Sequence, residues 1–297
     1  MTSVPVKPVP AERTLLQDMV MLTKPRIISL LLVTTVAPMF VSGTPGWGLV
    51  LLVMAGGYLM AGGANAVNMY MDRDIDDRMA RTRLRPIPSG RMSSVSVLAF
   101  GVALATAATF LFAYFVNVVS AALALGGFYF YVFVYTRWLK RTTPHNIVIG
   151  GAAGAFPPLV GWSAMTGRID LVAVYLFLIV FYWTPPHFWA LALLKQRDYT
   201  KAGVPMAPLV WGERETMNQM VWYTLILIGI TVLPFTFHAF GVIYLLSAIV
   251  LGLVLLAGVL RMRAAADWTA RAWWVYKYSL LYLALLFIAM AIDRKLG

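Results

Sequence analysis

Nine runs of about 17–25 mainly apolar residues, separated by short polar connections, restrict this chain to one kind of architecture. They fall at roughly 24–43, 47–71, 94–115, 118–137, 146–166, 170–194, 217–237, 240–261 and 271–291. A helix needs ~20 such residues to cross a bilayer. Lipid offers backbone N–H and C=O groups no partner, so each run must satisfy its own as a helix. The expected fold is all-α, a polytopic membrane protein with nine transmembrane helices. Composition agrees: 61% of residues are hydrophobic and 12% charged, against roughly 45–50% and about 25% in soluble domains. A soluble enzyme, a disordered tail protein and a secreted disulfide scaffold are excluded. The chain has no cysteine, which removes disulfides, thiolate metal sites and a cysteine nucleophile.

Residues 1–23 are mixed and proline-containing, without a cleaved-leader pattern. They are expected to form a cytoplasmic tail, followed by one nine-helix domain over 24–297. Of the 24 Lys and Arg residues, only Arg168, Arg294 and Lys295 fall on one side of the runs, and Lys277 lies inside the ninth. The others fill the tail and the alternate loops, among them Lys7, Arg13 and Lys24. The positive-inside rule then places the N-terminus in the cytoplasm and the C-terminus outside a cell membrane. The same bias accounts for the net charge of +12, so no nucleic-acid partner is expected.

Twelve acidic residues occur in the whole chain, and four stand in N-M-Y-M-D-R-D-I-D-D as Asp72, Asp74, Asp76 and Asp77. On a helix, Asn68, Asp72 and Asp76 recur at i, i+4 and i+8 and form one stripe. Such a row of oxygens suits Mg²⁺, which takes one or two carboxylates and completes its shell with water and substrate phosphates. Arg78, Arg81, Arg83, Arg85 and Arg91 follow; they either pair with phosphate oxygens or simply obey the charge bias of the loop. Asp198 stands just past the sixth run, between Lys195 and Tyr199 nearby, as a weak echo of Asp72 past the second. Within the sixth run, Pro185 and Pro186 are expected to break or kink the helix. His187 beside them reads as a metal ligand, proton carrier or substrate contact, or as a histidine bonded to a neighbouring helix. Asn65 either lines the same cavity as Asn68 or joins two helices.

The stretch N-M-Y-M-D-R-D-I-D-D-R-M-A-R-T-R-L-R-P-I-P-S-G resembles the first aspartate-rich motif of the UbiA superfamily of intramembrane prenyltransferases, in its haem-modifying branch. The stretches W-L-K-R-T-T-P-H-N-I-V-I-G-G-A-A-G-A-F-P-P-L-V-G-W, W-T-P-P-H-F-W-A-L-A-L and D-Y-T-K-A-G-V-P-M are similar to the same branch, and the likeness runs from about Lys24 onward. It implies helices around a central cavity open to the cytoplasmic side, with farnesyl diphosphate and haem B as substrates, Mg²⁺ as cofactor and membrane lipid as surroundings. It implies a haem A synthase or terminal oxidase assembly partner to receive the product. Asp72, Asp76 and Asp198 would be catalytic and, with Asn68, would hold the metal. Asn65, Asn68, Arg85, Lys140, Arg141, His187, Lys195 and Tyr199 would bind substrate. One departure stands out: many members carry a second D-x-x-x-D, whereas here Ala202 follows Asp198. Two other activities stay open, prenyl transfer to a quinone precursor and, in a different class, cation transport through the buried acids.

Overall fold

A computed structural model of the protein describes residues 13–296, which are helical with short connections and, among the described residues, no strand. Lys7 and the first half of the expected tail lie outside these residues. A nine-residue helix, α1 (Leu15–Thr23), precedes the spans. Its start carries a reciprocal cap: the Thr14 hydroxyl accepts from Gln17 N, and the Gln17 side chain accepts from Thr14 N. Lys24, in the left-handed region at φ 55°, turns the chain into α2 (Pro25–Ser42), which opens on a proline whose missing N–H costs a helix start nothing.

The remaining spans are α3 (Trp47–Met71), α5 (Ser94–Phe115), α8 (Asn146–Thr166), α9 (Leu171–Leu194), α12 (Glu213–Thr236), α13 (Val242–Ala264) and α14 (Thr269–Leu296), with a composite fourth span over Val118–Thr142. Among the described residues, nine helices are thus long and apolar enough to cross a membrane, and the chain is a multi-pass membrane protein. The composite span is α6 (Val118–Tyr129), a π-helical stretch (Phe130–Leu139) and α7 (Lys140–Thr142). It runs five residues past the expected end at 137, because Lys140 and Arg141 find carboxylate partners there rather than solvent. The seventh and ninth spans are also longer than their apolar runs, since helices continue into charged turns beyond the lipid. Pro185 and Pro186 do not break α9, which stays helical from Leu171 to Leu194 with both prolines buried; buried neighbours let membrane helices keep such prolines.

Successive spans pack side by side, and α14 returns to α2, closing a ring across which α2 meets α8 and α9 meets α14. In α13 the pattern is plain. Ala248, Gly252, Leu255 and Val259 face inward, while Leu246, Val250 and Leu253 are exposed on the lipid side. Span hydroxyls bond back to their own helix, as in Thr35 to Leu31 O (2.7 Å) and Thr224 to Met220 O (2.7 Å). Asp293 of α14 accepts from the backbone N–H groups of Gly241 and Tyr244, capping α13 from another helix. The loop between α3 and α5 contains a single turn, α4 (Arg73–Asp76). That between α9 and α12 contains α10 (Gln196–Ala202) and α11 (Ala207–Val210). Both loops lie at the same end of the bundle as the acidic stretch.

Close approach of two helix backbones sets the position of α8 against α2. A Cβ on Gly161 would lie 1.7 Å from Thr35 O, a backbone atom that cannot step aside. Gly161→Ala should therefore destabilise the bundle by about 1–3 kcal/mol or more, seen as a lower melting temperature in detergent. Gly229→Ala, with no atom within 4 Å of the added methyl, should leave it unchanged.

Candidate active site

The acidic stripe forms where α3 ends. Asp72 is the C-cap of α3, at φ −89° and ψ 4°, so the α-helix proper stops at Met71. Helical bonds nevertheless carry the register onward, Asp72 N to Asn68 O (2.9 Å) and Asp76 N to Asp72 O (2.8 Å). Asn68, Asp72 and Asp76 thus remain on one side, all buried. Asn68 Nδ2 donates to Asp72 Oδ2 (2.8 Å) and to Thr136 Oγ1 (3.1 Å), and Asn68 Oδ1 accepts from Lys24 Nζ (3.1 Å).

Cations from separate elements meet these acids. Lys140 Nζ donates to Asp72 Oδ2, and Arg85 Nη1 to Asp76 Oδ2 at 2.6 Å. Arg141 forks onto both oxygens of Asp74 at 2.7 Å, reaches Met71 O, and lies 3.7 Å from Asp72 Oδ1. The π-helical turn makes this delivery possible. Thr136 donates five residues back to Tyr131 O (2.8 Å), and along this stretch Thr136 meets Asn68 while Lys140, just beyond it, meets Asp72.

The electrostatics follow from burial and pairing. The hydrogen bonds from Arg141 hold the Asp74 carboxyl down at about 2. Burial raises Asp76, against the opposing pull of Arg85. Burial, with Arg85 adding to it, pushes the Lys24 ammonium down to about 7. Two carboxylate oxygens in the cluster, Asp72 Oδ1 and Asp76 Oδ1, are buried without a hydrogen-bond partner. Buried oxygens of this kind are costly unless something occupies them. No group of three or more His, Cys, Asp or Glu side chains suited to a metal occurs among the described residues. A pair of carboxylates with free oxygens fits an ion such as Mg²⁺ that draws the rest of its shell from water and phosphate.

The second loop docks on the first through Arg81. Its Nε lies 3.8 Å from Asp198 Oδ2, and its guanidinium sits 5.4 Å from the centre of the Tyr199 ring. Burial raises the Tyr199 phenol, and Arg81 and Arg85 oppose it, so the two loops share one field. The other residues singled out from sequence have different neighbours. Asn65 Nδ2 donates to Thr23 O (2.9 Å), bracing the end of α1. Lys195 lies 5.6 Å from the centre of the Trp273 ring on α14. His187 is buried between the stacked rings of Trp183 and Tyr276, 4.4 and 4.8 Å away, with Nδ1 2.8 Å from Ser279 Oγ. A cavity of about 280 Å³ opens at the opposite end of the bundle, beside Trp162, His238 and Arg294, and shares no residue with the acidic cluster.

Sequence reasoning missed Lys24 and Thr136 as parts of this site and offered Arg81 only as one of five loop arginines. Thr136 had a usable signal, a hydroxyl one helical turn before Lys140. Lys24 had only a weak one, a basic residue against the first proline of a span. Arg81 could not be told from its neighbouring arginines.

Residues 30–286 match the UbiA prenyltransferase family. A protoheme IX farnesyltransferase of Roseiflexus sp. (strain RS-1) is 54% identical over 283 residues, covering 95% of this chain and 53% of that protein. The chain thus spans about half the length of the first of the curated relatives that it matches. A protoheme IX farnesyltransferase of Symbiobacterium thermophilum is 53% identical, covering 93% of this chain and 94% of that protein. Among solved structures, a UbiA homologue from Archaeoglobus fulgidus bound to DMAPP and Mg²⁺ superposes with a TM-score of 0.68 at 15% identity, covering 93% of this chain and 99% of that one. With nine spans among the described residues and the aspartate-rich turn after the second, the chain belongs to the UbiA prenyltransferase family.

Proposed function

We propose that the chain transfers the farnesyl group of farnesyl diphosphate to a vinyl group of haem B, releasing diphosphate and giving haem O, with Mg²⁺ as the cofactor. The observation that carries the proposal is the pair of buried carboxylates with free oxygens, Asp72 and Asp76, ringed by Lys24, Arg85, Lys140 and Arg141. An anionic head group carrying its own divalent ion complements that arrangement in charge. The protoheme IX farnesyltransferases at 53–54% identity support the choice of acceptor. The A. fulgidus homologue, bound to a prenyl diphosphate and Mg²⁺, supports the choice of donor and ion. The cation-rich loops support a reading in which this end of the bundle faces the cytoplasm at the cell membrane, with the N-terminus inside.

Asp72 and Asp76 would hold the ion, and Asn68, bonded to Asp72, would keep that carboxylate in place. Bound Mg²⁺ supplies Lewis-acid stabilisation of the diphosphate oxygens. Lys140 and Arg85 exchange their carboxylate partners for phosphate, and Lys24 and Arg141 add charge around it. Lys140 and Arg85 stabilise negative charge as the allylic C1–O bond breaks, whereas Lys24 and Arg141 bind the diphosphate equally before and during that step. The haem vinyl group then attacks C1, and water adds to the adjacent carbon with loss of a proton. No side-chain nucleophile is required. Asp198 acts through Arg81 and the second loop, with Tyr199 closing over the head group. His187, flat between two aromatic rings, contacts the haem. The product passes to a haem A synthase or a terminal oxidase assembly partner.

Asp72→Asn and Asp76→Asn should each lower turnover by roughly 10²–10³-fold in protein that remains folded by circular dichroism; full activity in Asp72→Asn would refute the assigned role. Chelation with EDTA should abolish turnover, and added Mg²⁺ should restore it. Mass analysis of the product should show haem gaining a farnesyl group and the elements of water. A prenylated quinone precursor instead would move the acceptor while keeping the chemistry. Lys24→Met should raise the KM for farnesyl diphosphate about tenfold, with a smaller change in kcat.

A further inference from the structure

Lys24 reaches the site from an unusual origin. It belongs to no span and is the single left-handed residue between α1 and α2. Its ammonium points at Asn68 Oδ1 only while the end of α1 stays where it is. A four-carbon side chain has no preferred direction of its own, so whatever fastens α1 also aims Lys24.

The polar part of that fastening includes one buried ion pair. Asp18, 2% exposed in the middle of α1, accepts two parallel N–H bonds from Arg91, from Nε at 2.8 Å and from Nη2 at 2.9 Å. Leu22, fully buried against Ala66, Met69 and Val97, and two bonds at the helix end add to the anchorage. Thr23 O accepts from Asn65 (2.9 Å), and the Thr23 hydroxyl pairs with Tyr58 OH (2.9 Å). On the outer face of α1, Leu15, Leu16 and Val20 are exposed. Arg91 has a third bond, from Nη2 to Leu84 O at 3.0 Å. Leu84 precedes Arg85, whose guanidinium meets Asp76. One guanidinium thus ties together two chain segments, and each delivers a cation to the acidic cluster.

We infer that Asp18 and Arg91 are positioning residues for the diphosphate site, with Asp18 acting through Lys24 and Arg91 through both Lys24 and Arg85. The pair lies outside the acidic stripe and touches none of its carboxylates. A purely structural ion pair would lower stability without regard to Lys24. A positioning pair loses its effect once Lys24 is gone.

The inference rests on the diphosphate-binding reading for its kinetic arm only. In the full chain in nanodiscs, Asp18→Asn should raise the KM for farnesyl diphosphate about tenfold, with kcat within about threefold of the parent. Lys24→Met should do the same, and Asp18→Asn combined with Lys24→Met should be no worse than Lys24→Met alone. Additive effects in this cycle overturn the inference. The second arm needs no substrate: modification of Lys24 by a small amine-reactive reagent, followed by peptide mass spectrometry. Labelling should be at least about threefold faster in Asp18→Asn, because an unclamped ammonium leaves Asn68. Unchanged labelling overturns the inference whatever the protein does with farnesyl diphosphate. Failure to bind farnesyl diphosphate with the labelling result intact overturns the functional reading instead. Should Asp18→Asn fail to fold, Arg91→Lys keeps the charge but cannot make the fork and the Leu84 bond together. It should show the faster labelling, and parental labelling there counts against the clamp.

Discussion

Two carboxylates buried side by side cannot stay ionised unless cations or a metal meet them. In this protein that requirement organises one whole end of the bundle. Asp72 and Asp76 come from the turn after α3 and are both about 1% exposed. Their partners arrive from the start of α2, the end of the composite fourth span and the far side of their own loop. Removing one member of such a pair leaves an uncompensated buried charge at a cost of about 3–5 kcal/mol, so each element is held in place by the others' charge. The site and the packing of that end are the same set of interactions.

The two long connections are best understood in the same terms. Each follows a span, starts with an acidic residue near its beginning and folds into short helical turns. The first buries its acids against cations. The second keeps Asp198 partly open and gives it Arg81, a residue of the first. The absence of a second aspartate at Ala202 is matched by this borrowing: the second loop supplies a carboxylate and an aromatic ring that grip the first loop's arginine. Arg81 thus joins the second loop's carboxylate and aromatic ring to the first loop.

Much of this was legible in the amino-acid sequence because lipid permits so few solutions. Run length alone located all nine spans, and the charge bias separated the two ends. Asn68, Asp72 and Asp76 could be placed on one stripe because a helical repeat survives the break at Asp72. What was illegible depended on contacts between distant segments. The reach of the fourth span to Lys140 and Arg141 follows from carboxylates some 70 residues earlier and from a change of helical pitch that has no sequence signature. Lys24 reads as one more basic residue near a membrane surface, because nothing local announces a left-handed turn at a lysine. Pro185 and Pro186 predict a break by local rules, yet neighbours on α14 and α8 keep α9 intact. Asn65 and Lys195 lie close in sequence to acids, but their side-chain partners, Thr23 and Trp273, come from distant segments that local patterns do not reveal.

The carboxylate that α14 lends to the start of α13 bears on how the molecule is put together. Until α14 is inserted, the amides of Gly241 and Tyr244 have no Asp293 to receive them, and α2 lacks the neighbour that completes the ring. Closure of the ring therefore waits on the ninth span: the eighth gains its cap and α2 its last neighbour only when α14 arrives, after every acidic residue of the site has already been made.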